Sequence, residues 1–322
     1  MVENPPTGIC AFIDILGFAN HVRTDANAAL HLLGNYQAIL ESKSNQAVAD
    51  EALMPYRQDS FKYFIPFSDS IFLYSEQPSN FVQQLSQFVH SCFTFTSNQY
   101  SNPKDAKLPH QVTVRAIELE NGKPVVKEYT ENWHPLLFRG GLGYGDATIV
   151  ELNAVHNGQH NRTPIVFGKS VIDAVKLEQS GVKGPRLLCD KRLYEQLNER
   201  TKRIVHPAFD VKDYYDINWT AVDYLASVES IFEPEEAESA NWFVDQLLLN
   251  EFYLEMLTPT VNLWKAYNHM EIGTHYFKFL KLIVKGVQHF FADSQFSEKI
   301  RSEVYSYLQR LGVGDKADDL IE

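Results

Sequence analysis

The run "AFIDILGFANHV" at residues 11–22 places one aspartate, Asp14, inside an apolar stretch that otherwise reads as a buried strand. Aspartate is depleted in strands, and an unpaired carboxylate in a low-dielectric interior must neutralise itself or find a cation. A second stretch, "YFIPFSDSIFLYS" at 63–75, does the same with Asp69. A bland account exists for each residue alone: Asp14 caps the following turn and Asp69 opens a β-turn. As a pair, they constrain the fold more than any other feature, because the chain must bring both to a place where positive charge offsets them.

The apolar periodicity around them predicts a strand over 8–16 and a helix over 25–44, in which Leu30, Leu33, Tyr36 (with Leu32 beside it) and Leu40 recur at helical spacing and Asp25 is the N-cap. Residues 60–75 read as a hairpin whose turn contains "FSDS". An amphipathic helix follows over 79–99, with Ser79 as N-cap and Phe81, Leu85, Phe88, Val89 and Cys92 on one face. Asn121-Gly122 is a strong two-residue turn signal and predicts an inserted hairpin. A glycine-rich strand over 135–149, a polar loop "NAVHNGQHNRT", a short strand "PIVFG", a helix over 168–180 and a strand over 184–190 complete the first part. Without insertions, the order is strand, helix, two strands, helix, strand, helix, strand. That order indicates an α+β, ferredoxin-like arrangement with helices on one face of a mainly antiparallel sheet. From about 220 onward the pattern is mainly helical, one helix running to Pro259 and another beginning after it. We therefore expect two regions, 1–190 carrying the sheet and a helical extension, 191–322, packed on that core or on a dimer.

Composition narrows the function classes. The 322 residues are 44% hydrophobic and 22% charged, ordinary for a globular protein, and the net charge of −12 argues against sequence-independent nucleic-acid binding. A nucleotide substrate is compatible with that charge, because divalent cations offset phosphates locally. The three cysteines, Cys10, Cys92 and Cys189, are far apart and form no CxxC pair, which fits a reducing cytoplasm. "MVENPPTG" has no signal-peptide pattern, and apolar stretches such as that at 277–287 are too short and lysine-interrupted to span a membrane.

Two convergent aspartates with no neighbouring base suit Mg²⁺ or Mn²⁺, hard cations that take oxygen ligands and bridge to substrate phosphates. Here the sequence resembles the class III nucleotidyl cyclases. "FIDILGF" is similar to their first metal-binding motif and "FSDSIFLYS" to their second. "FRGGLGYGDATI" resembles their glycine-rich Arg-x-Gly strand, and "IVFGKSVIDAVKLEQ" the helix that opens at glycine and ends in Leu-Glu. The four motifs occur in order, over about residues 8–190.

The resemblance implies a ferredoxin-like cyclase domain in which Asp14, Asp69 and the carbonyl of Ile15 hold two Mn²⁺ or Mg²⁺ ions. It implies attack of a ribose 3′-hydroxyl on the α-phosphate of a nucleoside triphosphate. The backbone of Ile15, Leu16, Gly17 and Phe18 would face the phosphates at a helix N-terminus, with Gly17 allowing close approach. The positions of the purine-reading residues hold Ile65 and Ile165, and those of the transition-state Asn and Arg hold Ile172 and Lys176. The pattern is closer to the pyrimidine cyclases of the Pycsar antiphage systems. That similarity implies a homodimeric cytoplasmic enzyme with active sites at the interface, converting UTP or CTP to a cyclic nucleotide that activates a separate effector. No nucleic-acid or membrane partner is expected. The alternatives are a purine cyclase with atypical base readers and an inactive nucleotide-binding sensor.

The remaining candidates carry two roles each. Tyr63 could border a pyrimidine or form a cross-strand aromatic pair. Arg139 could serve phosphate or pair with Asp146 or a core carboxylate. Lys176 could replace the aligned Arg or sit solvated on its helix, with Asp173 orienting it or facing water. Aromatic and aliphatic residues of the helical region, Trp242, Phe243, Leu247, Phe252 and Leu257, are candidates to extend a dimer interface.

Overall fold

The computed structural model describes residues 6–24, 60–67, 69–101, 110–120, 123–156, 159–228 and 252–321, with single positions between 26 and 36 and at 232, 242 and 245. Its first elements are β1 (Thr7–Ile15), α1 (Phe18–Thr24), β2 (Tyr63–Phe67), β3 (Ser70–Ser75) and α2 (Pro78–Ser97). Two hairpin arms follow, β4 (His110–Glu120) and β5 (Lys123–Trp133), then β6 (Phe138–Asp146). A second hairpin, β7 (Thr148–His156) and β8 (Gln159–Phe167), leads into α3 (Lys169–Glu178) and β9 (Leu187–Asp190). Strands β10 (Val205–Pro207) and β11 (Tyr214–Ile217) precede the helices α4 (Phe252–Tyr267), α5 (Glu271–Phe290), α6 (Ser297–Arg310) and α7 (Ala317–Ile321).

Seven strands form one sheet in the order β10-β11-β9-β6-β1-β3-β2. β1 runs antiparallel to both β3 and β6, and only β6 and β9 are parallel. The sheet thus continues past residue 190, since β10 and β11 extend its edge. The inserted hairpins stand as separate two-stranded sheets, β4 with β5 and β7 with β8.

Alternation along β1 sorts its side chains. Ile9, Ala11 and Ile13 are buried with Leu73, Leu142 and, from α2, Phe81, Leu85 and Val89 in one core. Cys10, Phe12 and Asp14 point to the other face. That face is covered by α3: a Cβ on Gly141 would fall 2.2 Å from the carbonyl oxygen of Ala174, and one on Gly143 2.2 Å from that of Ser170. The glycine-rich strand exists to admit this helix. Helices therefore lie on both faces, not on one as the element order suggested, because β6 has no side chain at the positions where α3 crosses it. Behind α2, the C-terminal helices add a second layer, with Phe93 edge-on to Phe279 at 4.9 Å and Trp219 stacked on Phe279 at 5.2 Å.

Several local expectations change. The first helix starts at Phe18, directly after Gly17, and the described positions through 36 are helical; Asp25 and Leu40 lie outside the described residues. Its buried side carries Ala29, Leu32 and Tyr36, while Leu30 is 66% exposed. Ser79 does not cap α2. Pro78 takes the first turn, and the Ser79 hydroxyl instead accepts the amide of Asn198 at 2.8 Å. Within the stretch 153–163, expected to be a polar loop, the described residues belong to the paired strands β7 and β8. Helix α4 runs through Pro259 without stopping, since its flanks at Met256, Leu257 and Val261 are fully packed and burial outweighs one lost hydrogen bond. Leu257 is accordingly core and unavailable to an interface, whereas Trp242 is 63% exposed; Phe243 and Leu247, and the side chain of Phe252, lie outside the described residues.

All three cysteines are buried free thiols, and burial pushes the Cys10 thiol up to about 12. Among the described residues, no helix is long and apolar enough to cross a membrane.

Candidate active site

Asp14 is the penultimate residue of β1. The sheet register sets it opposite Ser70 on β3 and Arg139 on β6, so the three side chains share one row and one face. The row is hydrogen-bonded and charged. Ser70 Oγ donates to Asp14 Oδ1 at 3.1 Å, and Arg139 Nη2 lies 3.6 Å from Asp14 Oδ2.

Asp69 stands one position before β3, in the β2–β3 turn. Its carbonyl accepts the Ile15 amide at 3.0 Å, which ties the turn to the end of β1. The two carboxyl groups thereby come within hydrogen-bonding contact of each other. Residues 55 positions apart in sequence are thereby neighbours in the fold. Burial, the Asp69 charge and the contact with Asp69 raise the Asp14 carboxyl to about 6, against the opposing pull of Ser70 and Arg139. One guanidinium does not neutralise the pair. The site is short of positive charge.

Arg139 is divided between two acids. Its Nε lies 2.9 Å from Glu178 Oε1, an ion pair whose angle falls short of a hydrogen bond, on a Glu178 side chain only 6% exposed. Glu178 ends α3 and is the one acidic side chain that α3 delivers to this row. Asp146, considered as a partner of Arg139, contributes its backbone carbonyl to Ser170 instead.

Gly17 has φ +82°, and a Cβ there would meet nothing within 4 Å. The glycine serves the left-handed turn into α1, and the space beside it is open. The Leu16 amide donates to Leu137 O at 2.8 Å, so it belongs to the fold and does not face a phosphate; the amides of Gly17 and Phe18 lie at the open end.

Two candidates fall outside this row. Tyr63 pairs with Tyr74 in the row of Cys10, ring centroids 6.2 Å apart, four positions along the strand from Asp14 and so roughly 13 Å away. The cross-strand aromatic role therefore holds. Lys176 is exposed on α3, while the helix buries Ala174 and Leu177 against the sheet. It does not join its own chain's aspartates. Asp173 pairs with Arg192 at 2.7 Å rather than orienting Lys176.

Residues not singled out by sequence complete the site. Phe12 and Phe72 meet in the next row at 4.6 Å between centroids, both half-buried, with Ile65 opposite Phe72. They form an apolar platform two positions from the carboxylates and on the same face. Only their alternation with Asp14 along β1 could have signalled it.

The protein's own donors fit a divalent cation: two carboxylates and nearby backbone oxygen, with no third His, Cys, Asp or Glu in the cluster among the described residues. Such a set leaves coordination positions for water and phosphate, as magnesium-type sites do.

No family model matches the chain, and no curated protein matches it in sequence. Among solved structures, an adenylate cyclase of Trypanosoma brucei in its monomeric state matches at 14% identity, over 66% of this chain and 88% of that one, with a TM-score of 0.33. The functional reading rests instead on the geometry of Asp14 and Asp69.

Proposed function

We propose that this protein is a nucleotidyl cyclase acting on a pyrimidine nucleoside triphosphate, UTP or CTP. The observation that carries the reading is the contact between the Asp14 and Asp69 carboxyls at the junction of β1 and the β2–β3 turn. Asp14, Asp69 and the Ile15 carbonyl would hold Mn²⁺ or Mg²⁺. When bound, such ions offset phosphate charge and acidify a coordinated hydroxyl.

The chain's own residues do the rest. The 3′-oxygen of the ribose forms a new bond to the α-phosphorus, the bond to the β-phosphate oxygen breaks, and pyrophosphate leaves. The hydroxyl proton passes to solvent or to the leaving group. Asp14, its pKa raised to about 6 by burial and by Asp69, gains from positive charge brought to the pair, so cation loading and proton release at this site are coupled as the pH falls toward 6. Ser70 fixes the orientation of Asp14 through its hydroxyl. Arg139 supplies a guanidinium beside the same row, held by Glu178. The open turn at Gly17 leaves room for phosphate oxygens to approach the amides of Gly17 and Phe18.

The half-buried platform of Phe12 and Phe72 gives an apolar wall beside the carboxylates. A pyrimidine is favoured because the positions of the purine readers carry Ile65 and Ile165, which offer no hydrogen bond to a base edge. A homodimer is favoured by Lys176, which faces away from its own chain's aspartates, and by the exposed Ile165, Phe167 and Ile172 around it. On this reading, Lys176 completes the site of a second copy. A cytoplasmic antiphage role, through an effector that responds to the cyclic product, follows from the same resemblance.

The test is to incubate the protein with each of the four ribonucleoside triphosphates and Mn²⁺ and to separate the products. Cyclic UMP or cyclic CMP is expected. Cyclic AMP or cyclic GMP as main product overturns the base assignment, and no cyclic product from any of the four overturns the enzyme reading.

A further inference from the structure

The segment between α3 and β9 touches Arg139 at both of its ends. It leaves α3 at Glu178, the acid beside Arg139 Nε, and closes at Arg186, whose carbonyl accepts the amide of Gly140, the residue after Arg139, at 2.9 Å. The side-chain partner of the guanidinium and the backbone that carries it therefore both hang on one short stretch, 179–186.

Three successive residues of that stretch are tied to three different parts of the C-terminal region. The Gly184 amide donates to Nδ1 of His275 on α5 at 3.1 Å. The Trp219 indole donates to the Pro185 carbonyl at 2.8 Å. The Arg186 guanidinium is held by Asp210 and Asp216, its Nε 2.7 Å from Asp216 Oδ1. Trp219, Arg186 and Asp216 are buried, whereas His275 is only half-buried. Gly184 itself has φ +96°, and a Cβ there would fall 2.9 Å from the Cβ of Lys278, so the stretch lies directly on α5 in a conformation that glycine supplies.

The His275 tie differs from the others in its chemistry. An amide only donates, so Nδ1 carries the lone pair and the ring proton is on Nε2. An imidazolium donates from both nitrogens, so protonation turns the acceptor into a second donor and opens the tie. The charges around the ring come from three elements: Lys183 of the stretch, Arg139 of β6 and Glu271 of α5, which pairs with Lys183 at 3.8 Å. Lys278, one turn along α5, is engaged by Asp210 at 2.9 Å. Burial, then Lys183 and Arg139, lower the His275 pKa against the pull of Glu271, so at neutral pH the ring is uncharged and the tie is closed.

We propose that His275 is a positioning residue for Arg139: it pins the stretch 179–186 to α5, and the stretch sets both Glu178 and the Gly140 backbone. The consequence for turnover rests on the cyclase reading, whereas the tie itself does not. The C-terminal helices thus reach the Asp14 row through one titratable side chain.

Steady-state kinetics of the full chain with Mn²⁺ and triphosphate, in wild type, His275→Leu and His275→Asn, test it, with hydrogen exchange of the Gly184 and Gly140 amides in parallel. Leucine removes the acceptor, while the asparagine Oδ1 stands in for Nδ1 and does not titrate. At neutral pH, kcat is expected to fall about tenfold in His275→Leu with KM unchanged, and to return to within about twofold of wild type in His275→Asn. Below pH 6.5 the wild type is expected to lose turnover that His275→Asn keeps, since proton binding at Asp14 is common to both and cancels in their ratio. Exchange at both amides is expected to speed about tenfold in His275→Leu and to stay at the wild-type rate in His275→Asn. The proposal is overturned if kcat is unchanged in His275→Leu, if His275→Asn is as slow as His275→Leu, or if wild type and His275→Asn share one pH profile. It is also overturned if exchange speeds at Gly184 and not at Gly140, because the tie then stops short of the site. A wild type that makes no cyclic product removes the cyclase reading instead, and the two exchange rates then decide the proposal. Should His275→Leu fail to fold, wild type against His275→Asn below pH 6.5, in turnover and in Gly140 exchange, decides it.

Discussion

Arg139 lies between Asp14 and Glu178, with Nη2 3.6 Å from the first and Nε 2.9 Å from the second. The closer acid is also the more buried, its side chain 6% exposed. Glu178 therefore decides how much of the guanidinium charge the aspartate row receives.

Two variants separate these roles. Glu178→Gln releases Arg139 toward Asp14, where it competes with a divalent cation. The Mn²⁺ concentration giving half-maximal cyclase activity is expected to rise about tenfold, read by titrating the metal at saturating triphosphate. Arg139→Ala leaves Glu178 buried without a cation and is expected to cost about 1–3 kcal/mol in urea unfolding, toward the lower end because Arg139 is 38% exposed.

The pH dependence of stability follows from Asp14. Its pKa rises from 3.8 to about 6, so the folded chain holds that proton more tightly than the unfolded chain does. The contribution is fully present below about pH 4 and is lost as pH rises through about 6, a difference of about 2–3 kcal/mol in metal-free buffer. Asp14→Asn removes this slope: the variant is expected to be more stable than wild type at neutral pH while turnover falls to background. Thermal melts across that window check it. Mn²⁺ is expected to raise the melting temperature of the wild type alone, and an equal rise in Asp14→Asn would remove the metal from this site.

What could be read from sequence was mainly what repeats along the strand. The unbroken apolar run around Asp14 marked both the strand and the abnormality of the aspartate, and Asn121-Gly122 signalled the first hairpin, whose arms β4 and β5 pair. The second hairpin reads as a loop in sequence because its arms, "ELNAVH" and "QHNRT", are polar and carry no apolar alternation. Leu32 and Tyr36 of the helical spacing are buried, whereas Leu30 is exposed and Ala29 takes the buried position beside it, since a lone exposed leucine looks no different in sequence. Glu178 was legible only as the last letter of a motif. Its meaning required the α3 crossing, which depends on three-dimensional closeness to Arg139. Pro259 shows a local rule losing to burial on both sides.

The closeness of α3 to β6 gives a prediction about the fold alone. Gly141→Val would drive a side chain into the Ala174 carbonyl and the Leu177 Cβ, at 2.2 and 2.4 Å from its Cβ. Neither backbone nor packed helix can yield at that distance, so α3 must lift from the sheet. A loss of more than about 3 kcal/mol is expected, or failure to fold. Gly17→Ala meets no atom but forces φ +82° on a residue with a Cβ, and is expected to cost only about 1 kcal/mol. Denaturant midpoints of the two variants compare them directly.

The orientation of Lys176 makes a prediction that only a shared site can satisfy. Within one chain, α3 turns Ala174 and Leu177 to the sheet and leaves Lys176 exposed, away from Asp14. If Lys176 serves a second copy, Asp14→Ala and Lys176→Ala each remove every intact site in their own homodimers. Mixed, they form heterodimers in which one site receives Asp14 from one chain and Lys176 from the other, and the second site lacks both. Random pairing makes half the dimers mixed and repairs one of two sites in each, so roughly a quarter of wild-type turnover should return on mixing equal amounts. Two inactive preparations that stay inactive together, while gel filtration shows them exchanging subunits, would return Lys176 to the role of a solvated surface residue.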